Sequence, residues 1–340
     1  MIRSLLTQWS AQPTVQPAML CSLIEWKGSV PRKDYPMMLV LEDGSILGTI
    51  GGGSMELKVT HSALEMLHQN QPQVFDFEMT GKDVNADVGL CGGEIKVLVE
   101  PFTEELQNFY QRIQDESSSN PRSMVKLSIQ GVSRIEVQRD LITSTTDISE
   151  TDQTLESKLR DIFKQQRTKS YRQGDMHYLL WQSFQTPTIH IFGAGHVGQA
   201  VAELAHFNEL DVQVYDDRLS LLTEDRFPYA QRLPMQFPVN WEDIPVVSEL
   251  DFILIASREH KHDRDLLAHF LRGSSAYIGL VSSARKWKLL SEHLHADGFE
   301  EALLSQVHAP VGLNIDAQTV PEIAISIVAE IISIYRGPAQ

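Results

Sequence analysis

The sequence predicts an α/β protein, with a doubly wound parallel sheet in its C-terminal half and an α+β domain before it. From Thr188 onwards, short apolar strands alternate with amphipathic helices, the pattern of a parallel sheet covered by helices on both faces. A glycine-rich loop joins the first of these strands to the first helix, whereas residues 1–104 show strand patterns without that alternation. We therefore predict two domains, residues 1–186 and residues 187–340.

Composition narrows the possible functions. The 340 residues include 29 basic and 45 acidic side chains, which gives a formal net charge of −16. Because so acidic a surface repels nucleic acid and anionic membranes, a phosphate must be held locally, by backbone amides or a few placed cations. The chain has no apolar run that could span a bilayer, no signal-peptide pattern and no CxxC pair. These features predict a soluble, cytoplasmic protein without nucleic-acid or membrane partners.

The N-terminal part contains a hairpin signal. Glu42-Asp43-Gly44 separates two apolar runs, and Asp-Gly readily adopts the positive φ angles of a tight turn. Ser54 precedes a run with helical spacing and is predicted to cap that helix. The strands predicted here are 18–26, 37–41, 45–50, 74–79 and 94–100.

Residues 105–186 carry fewer signals. We interpret them as an elaboration of the first domain that covers an edge of its sheet, with a hinge to the second domain at 185–187. The elements predicted here are strands at 124–130, 133–139 and 176–183, a polar helix at 151–166 and a loop at 117–121.

The C-terminal part reads as alternating strands and helices. The strands are predicted at 188–192, 212–215, 252–256 and 276–279, and the helices at 197–207, 263–271 and 284–295. A last helix begins at Pro321, since proline is favoured at the first helical position. Its isoleucines lie on more than one face, which predicts burial against another element or a second protomer, and hence a homodimer.

The loop Gly193-Ala194-Gly195-His196-Val197-Gly198 follows an apolar strand and opens a helix, as in Rossmann-like dinucleotide-binding units. In that pattern Gly193 permits the turn, Gly195 lets a pyrophosphate approach, and Gly198 allows the helix to pack closely on the strand. Asp216 stands where ribose hydroxyls are usually bound, which favours NAD over NADP, although the adjacent Arg218 weakens that preference. The alternative is a domain that keeps these glycines for packing alone.

The sequence shows no hydride-transfer constellation. Ser257, His260 and Asp263 follow a predicted strand and can line the cleft, but no spacing rule makes them an acid–base set. The neighbouring His260 and His262 are predicted to be solvated loop side chains rather than metal ligands. The cleft can therefore recognise a nucleotide-bearing ligand without redox chemistry.

Two glycine corners mark the first domain. Gly51, Gly52 and Gly53 precede a helix and predict a nest of backbone amides for an anion, with Glu56 in the first turn. The alternative role of Glu56 is that of a capping carboxylate.

The second corner holds a cysteine. Cys91 is followed by Gly92 and Gly93, so its thiolate is a candidate nucleophile or soft-metal ligand, the alternative being a small turn residue. Cys21 lies within an apolar strand and is predicted to be core.

These landmarks, in this order, resemble the XdhC/CoxI family of accessory factors for molybdenum hydroxylases such as xanthine dehydrogenase. The resemblance covers both ends of the chain and leaves out residues 105–186. It rests on segments 28–32, 48–56, 88–93 and 99–101 of the first domain, and on 191–198, 215–218, 277–279, 308–313, 321–324 and 329–331 of the second.

The resemblance implies a non-catalytic chaperone. Such a protein binds molybdenum cofactor, supports its sulfuration and delivers it to an apo xanthine dehydrogenase-like enzyme, with a cysteine desulfurase as a further partner. By match to the family pattern, the cofactor lies near Gly51, Gly52, Glu56, Cys91, Gly92 and Gly93. Cys91 would then be closest to molybdenum or the transferred sulfur, and Arg32 is an anion partner.

The chain departs from the family pattern at two places. Ser54 stands where many relatives have a cysteine, which argues against a mechanism with two thiols. The stretch Gly-Ser-Arg-Arg-Lys appears as Ser282-Ser283-Ala284-Arg285-Lys286. Two other functions remain open from the residues, an NAD-dependent oxidoreductase and a nucleotide-sensing regulatory protein.

Overall fold

The computed structural model shows two compact units, residues 1–185 and 186–340, which are described separately. The structure describes residues 2–12, 16–30, 32, 35–69, 71–78, 93–119, 124–131, 135–150, 152–165, 169–182, 187–243 and 246–336. Within this part of the chain, no helix combines the length and apolar character needed to cross a membrane.

The N-terminal unit combines four helices with nine strands in its described residues. In chain order these are α1 (Ile2–Ser10), β1 (Ala18–Lys27), β2 (Met37–Leu41), β3 (Ile46–Gly48), α2 (Gly53–Met66), β4 (Gln73–Glu78), β5 (Glu94–Pro101), α3 (Glu104–Ser119), β6 (Met124–Gln130), β7 (Glu136–Ile142), α4 (Gln153–Gln165), β8 (Lys169–Gln173) and β9 (Met176–Gln182).

The first sheet is antiparallel and has the order β3-β2-β1-β5-β4. The hairpin between β2 and β3 was predicted correctly. Gly44 has a φ of +84°, and the Asp43 carboxylate accepts hydrogen bonds from the Ser45 amide and hydroxyl. Helix α2 covers one face of this sheet, where the fully buried Cys21 is part of the core, as predicted.

Residues 124–182 form a second sheet of their own, with the order β7-β6-β9-β8. One face packs on α4, and the other shares a core with α1, α3 and the first sheet, through residues such as Leu20, Leu39, Leu127 and Leu179. The prediction that this segment covers a sheet edge was therefore wrong. The apolar residues of β6 and β9 have to be buried on both sides, so the segment lies across a face.

The C-terminal unit alternates strands and helices. In chain order its elements are β10 (Thr188–Phe192), α5 (His196–Phe207), β11 (Asp211–Asp216), β12 (Gln231–Pro234), β13 (Phe252–Ile255), α6 (His260–Phe270), β14 (Tyr277–Leu280), α7 (Ala284–Ala296), α8 (Glu301–Leu304), β15 (Val307–His308) and α9 (Val320–Arg336).

All strand pairs of this sheet are parallel, and the order is β12-β11-β10-β13-β14-β15. Helices α5 and α9 cover one face, and α6 and α7 cover the other. The doubly wound Rossmann-like sheet predicted from the sequence is thus confirmed. Its strand order reverses between β10 and β13, and a ligand of such a sheet binds at that point, outside the carboxyl ends of the strands.

Several local predictions were wrong. His262 is in α6, is only 9% exposed and stacks on Phe237, so it is neither a loop residue nor solvated. Residues 117–119 belong to α3 rather than to a loop, because the helical pattern of that segment continues to Ser119. The hinge predicted at 185–187 lies mostly outside the described residues.

Candidate functional site

The turn after β10 brings the glycine-rich loop close to the neighbouring strand. Gly193 has a φ of +132°, and a Cβ there would lie 2.3 Å from the Ala256 carbonyl oxygen, just after β13. Only glycine satisfies both conditions. The loop therefore lies at the point where the strand order reverses.

The other two glycines of the loop have different surroundings. A Cβ on Gly198 would lie 2.1 Å from the Gly193 carbonyl oxygen, so Gly198 allows the helix to approach the strand, as predicted. A Cβ on Gly195, by contrast, would have no described heavy atom within 4 Å apart from those of Gly195 itself and its chain neighbours. Gly195 is the N-cap of α5, and the first amides of a helix have no acceptor within the helix. The loop thus leaves open space at a helix N-terminus, as phosphate binding requires.

Asp216 has a different environment from the one predicted. Its carboxylate is 4% exposed and accepts hydrogen bonds from the Ala194 amide, at 2.6 Å, and from the Arg218 amide and guanidinium, at 2.7–2.9 Å. Burial alone would raise the pKa of Asp216, but the Arg218 and Ala194 donors outweigh it and lower that pKa to about 2. Because both oxygens already have partners, Asp216 fixes the loop, and its contact with a ribose stays a prediction.

Further charged side chains surround the loop, and the sequence reasoning missed their roles. The Arg226 guanidinium donates a hydrogen bond to the Ala194 carbonyl at 2.9 Å. Arg258, after β13, lies 3.2 Å from the Asp217 carboxylate, after β11. Since β10 lies between those two strands, this ion pair spans the end of the strand that carries the loop.

Ser257 and Asp263 do come together, with a third residue that was noted only as part of a family stretch. The Ser257 hydroxyl donates to Asp263 Oδ1 at 2.6 Å, and Lys286 Nζ lies 2.5 Å from Asp263 Oδ2. Asp263 is fully buried. The side chain of His260 lies outside what the structure describes.

The glycine corner of the N-terminal unit is filled by the chain itself. Glu56 Oε2 accepts hydrogen bonds from the Thr49 hydroxyl at 2.5 Å, the Ile50 amide at 3.0 Å and the Gly52 amide at 3.1 Å. The Gly51 amide donates to the Thr49 hydroxyl oxygen at 3.1 Å. The anion in this corner is therefore the Glu56 carboxylate, as in the capping alternative.

One expectation about this corner stays a prediction, and another has to be corrected. The nest is not open to a ligand while Glu56 occupies it, so contact of Gly51, Gly52 and Gly53 with a cofactor stays a prediction that requires Glu56 to move. The N-cap is Gly52 rather than Ser54, because the chain passes through φ angles of 138°, 74° and 69° at the three glycines and enters the helix two residues earlier. Backbone conformation alone thus accounts for the glycine triplet.

Arg32 and Gly93 lie beside neighbouring backbone. The Arg32 guanidinium donates to the Thr49 carbonyl at 3.4 Å, so Arg32 lies next to the glycine corner. A Cβ on Gly93 would lie 2.4 Å from the Ser29 carbonyl oxygen, so Gly93 allows close contact with the segment before Arg32. Cys91 and Gly92 are outside the described residues, and their roles stay predictions. Among the described side chains, no group of three or more His, Cys, Asp or Glu residues could hold a metal ion.

Two known proteins match nearly the whole chain. A protein of Bacillus subtilis (strain 168) described as a probable xanthine dehydrogenase subunit is 27% identical over 333 residues, which is 95% of each protein. The crystal structure of a xanthine dehydrogenase from Bacillus halodurans superposes with a TM-score of 0.80 at 24% identity, over 99% of this chain and 96% of that one, and has the same fold.

A third relative is much longer. "Uncharacterized protein YqeB" of Escherichia coli (strain K12) is 27% identical over 323 residues, and these make up 94% of this chain but 44% of that protein. The chain therefore spans less than half the length of this relative.

Family models match both units. Residues 189–331 match the model described as the XdhC Rossmann domain, and this range includes the glycine-rich loop and all strands after β10. Residues 12–78 match the model of the XdhC and CoxI family, which includes the Glu56 corner. The chain belongs to the XdhC and CoxI family.

Proposed function

We propose that this protein is a maturation factor for a xanthine dehydrogenase-type molybdenum hydroxylase. In this function it binds molybdenum cofactor, supports its sulfuration and assists its insertion into the apo-enzyme. Two findings support xanthine dehydrogenase-type enzymes as the class of protein that it assists. These findings are the family membership and the Bacillus subtilis relative described as a probable xanthine dehydrogenase subunit. The cofactor, its sulfuration and the transfer are our inference.

The observation that carries the proposal is the open loop at the N-terminus of α5. Molybdenum cofactor ends in a phosphate or a nucleotide, and the space around Gly195 together with the first amides of α5 fits a phosphate group. In an acidic protein with a net charge of −16, such backbone donors are the means of holding an anion. An NAD-type dinucleotide fits the same loop, so ligand identity has to be decided by experiment.

The N-terminal corner does not fit a phosphate in the arrangement described. Glu56 occupies the amides of Ile50 and Gly52, and a second anion at the same donors would be repelled. We therefore place the phosphate of the ligand at the loop before α5, and cofactor contact at the N-terminal corner would require Glu56 to move away from these amides. Cys91 remains the candidate for contact with molybdenum or sulfur, because Cys21, the other cysteine, is fully buried and burial raises the pKa of its thiol.

The test is to purify the protein anaerobically and identify co-purifying small molecules by mass spectrometry. The purified protein is then incubated separately with molybdenum cofactor and with NADH. Retention of molybdenum cofactor, activation of an apo-hydroxylase and no NADH oxidation support the proposal. NADH turnover would instead support an NAD-dependent oxidoreductase, and nucleotide binding without cofactor retention a nucleotide-sensing regulator.

A variant of Cys91 tests the sulfur step separately. Cys91→Ser should keep the fold and retain the cofactor but deliver less active cofactor to the apo-hydroxylase. Cys21→Ala is the matched control, because it removes the other thiol from a site that reagents cannot reach. Undiminished activation by Cys91→Ser would remove Cys91 from the mechanism.

A further inference from the structure

Three side chains at the carboxyl edge of the C-terminal sheet form a connected polar cluster. Asp263 accepts the Ser257 hydroxyl at 2.6 Å on one carboxylate oxygen, and Lys286 Nζ lies 2.5 Å from the other. Asp263 is fully buried, whereas the Lys286 side chain is 17% exposed and Ser257 is half-buried. The side of the cluster that meets solvent therefore belongs to Lys286 and Ser257.

Topology places this cluster beside the phosphate loop. Ser257 follows β13, the neighbour of β10, and Lys286 follows β14, the next strand along. A Cβ on Gly193 would lie 3.2 Å from the Ser257 amide nitrogen, so Ser257 adjoins the loop. Ser257 therefore lies next to the loop, and a hydrogen bond and an ion pair continue from Ser257 through Asp263 to Lys286.

The first turn of α7 carries positive charges, whereas the first turn of a helix usually favours negative ones. Arg285 and Lys286 lie in its first turn, which contains no acidic residue. Cations are disfavoured there because the helix dipole places positive charge at the N-terminus. Asp263 compensates Lys286, but a lysine ammonium has three donors and the carboxylate engages only one side of it. Dipole and ammonium together favour an anion on the open side.

A purely structural role for the pair explains less. Helices α6 and α7 are already joined by a bidentate ion pair between Arg264 and Asp297, with distances of 2.6–2.9 Å. Replacing a buried ion pair by apolar residues is often neutral or stabilising, so joining two helices does not require Asp263 and Lys286. The pair is better explained by what Lys286 presents to the cleft.

We propose that Lys286, positioned by Asp263 and Ser257, forms a second phosphate subsite on the β13 and β14 side of the loop. The unit then takes a ligand with a diphosphate group, one phosphate at the N-terminus of α5 and the other at Lys286. This inference rests on the proposed binding of a phosphate ligand by the C-terminal unit and specifies its class. It selects a dinucleotide form of the cofactor over a form with a single terminal phosphate.

The experiment compares nucleoside diphosphates with the corresponding monophosphates by calorimetry on the full chain. The probes are ADP and AMP, CDP and CMP, and GDP and GMP, so that the result does not depend on one base. The wild type should bind at least one diphosphate about tenfold more tightly than its monophosphate, the effect expected of one charge-assisted contact. Lys286→Met should abolish that preference and leave monophosphate binding within about twofold, since a charge-assisted contact to the second phosphate is all it removes.

Controls separate this effect from a loss of structure. Lys288→Met changes an exposed lysine further along α7 and should keep the preference. Because Lys286→Met leaves the buried Asp263 unpaired, the double variant Asp263→Asn/Lys286→Met is measured as well. The double variant removes the ion pair without leaving an unpaired charge in the interior. It should therefore fold but no longer prefer diphosphates to monophosphates.

Two results would overturn the inference. One is equal binding of diphosphates and monophosphates by the wild type, or no binding of either. The other is an unchanged preference in a folded double variant. Neither result decides the maturation function, which is measured independently by activation of the apo-hydroxylase.

Discussion

The Asp216 carboxylate accepts a hydrogen bond of 2.6 Å from the Ala194 amide and so joins the end of β11 to the glycine-rich loop. Arg218 completes the arrangement with a bidentate contact to both oxygens of the same carboxylate. The loop is therefore held in its conformation by charge-assisted hydrogen bonds from within the protein.

This arrangement predicts a defined pH dependence. Asp216 has its pKa lowered from 3.8 to about 2, the hydrogen bonds from Arg218 outweighing burial. A carboxylate with a lowered folded-state pKa stabilises the fold above the unfolded value, and that contribution is lost as pH falls from about 4 towards 2. Asp216→Asn should therefore lower the free energy of unfolding by roughly 2 kcal/mol at pH 7, measured by urea denaturation.

The difference between the two proteins should shrink as the pH is lowered from 5 to 2.5. Asp225→Asn, an exposed residue of the following loop, is the control and should change the free energy of unfolding by less than about 0.5 kcal/mol. A constant difference between wild type and Asp216→Asn down to pH 2.5 would contradict the role given to this carboxylate.

The Glu56 corner predicts both a loss and a rescue. Glu56→Ala removes the acceptor of the Thr49 hydroxyl and of the Ile50 and Gly52 amides, which should cost about 1–3 kcal/mol of unfolding free energy. Inorganic phosphate should restore part of that loss in the variant but not in the wild type, because the vacated amides form an anion site. Thermal unfolding with and without phosphate measures both effects.

Glu65→Ala is the matched control for this corner. Glu65 lies on the same helix with its side chain 68% exposed and pairs with His61 at the surface, so a change within about 0.5 kcal/mol is expected. If phosphate gives Glu56→Ala no additional stability, the amides are not an anion site even when empty.

The features that could be predicted from the sequence are those that depend on neighbouring residues in the chain. The strands at 37–41, 124–130 and 188–192 were predicted to the residue, because each is a short segment rich in apolar residues between turn signals. The glycines at 193, 195 and 198 were recognised because their spacing reflects one backbone conformation. Helices α1 and α3 were not predicted. The sequence of α1 has no clear capping signal and that of α3 is strongly polar. Both helices are stabilised mainly by burial of one face against the first sheet.

Contacts between distant residues account for the rest. Arg139 and Glu100 form a buried ion pair between the two N-terminal sheets, 39 residues apart in the chain, and no local pattern connects them. Asp263 lies in α6 and Lys286 in α7, with β14 between these helices in the chain, so no local sequence pattern connects the two residues. Glu56 was weighed as a ligand group or a cap, and only the three-dimensional arrangement shows that it caps.

His177 predicts a second pH dependence. It is 5% exposed in β9, both ring nitrogens are buried without hydrogen-bond partners among the described residues, and burial followed by the Arg172 charge lowers its pKa from 6.5 to about 4. The unfolded chain therefore binds a proton below pH 6.5 that the folded protein does not accept until about pH 4. Stability is complete above pH 6.5 and should fall by roughly 3 kcal/mol as pH drops to 4.

His177→Leu should remove this loss while remaining about as stable as the wild type at pH 7, because no hydrogen bond is sacrificed. His61→Leu is the control, since His61 has a side chain that is 79% exposed and should leave the pH profile unchanged. Chemical denaturation at pH 7, 5.5 and 4.5 provides the comparison. An unchanged slope in His177→Leu would mean that folding does not lower the pKa of His177.

The last prediction separates phosphate binding from packing in the glycine loop. Gly195 has a φ of −69°, which any residue adopts, and open space where a Cβ would lie, so Gly195→Ala should keep or slightly raise stability, by up to about 1 kcal/mol. The added methyl group occupies the space that a phosphate would use. Binding of nucleoside phosphates should therefore fall at least about tenfold, if one charge-assisted contact is lost.

Gly198→Ala should behave in the opposite way. Its Cβ would lie 2.1 Å from the Gly193 carbonyl oxygen, so helix and strand must separate, at a cost of about 2 kcal/mol or more. Calorimetry of ligand binding and thermal unfolding on both variants distinguish the two roles. If Gly195→Ala bound nucleoside phosphates as tightly as the wild type, the glycines would serve packing alone, and the proposed cofactor function would lose the observation on which it depends.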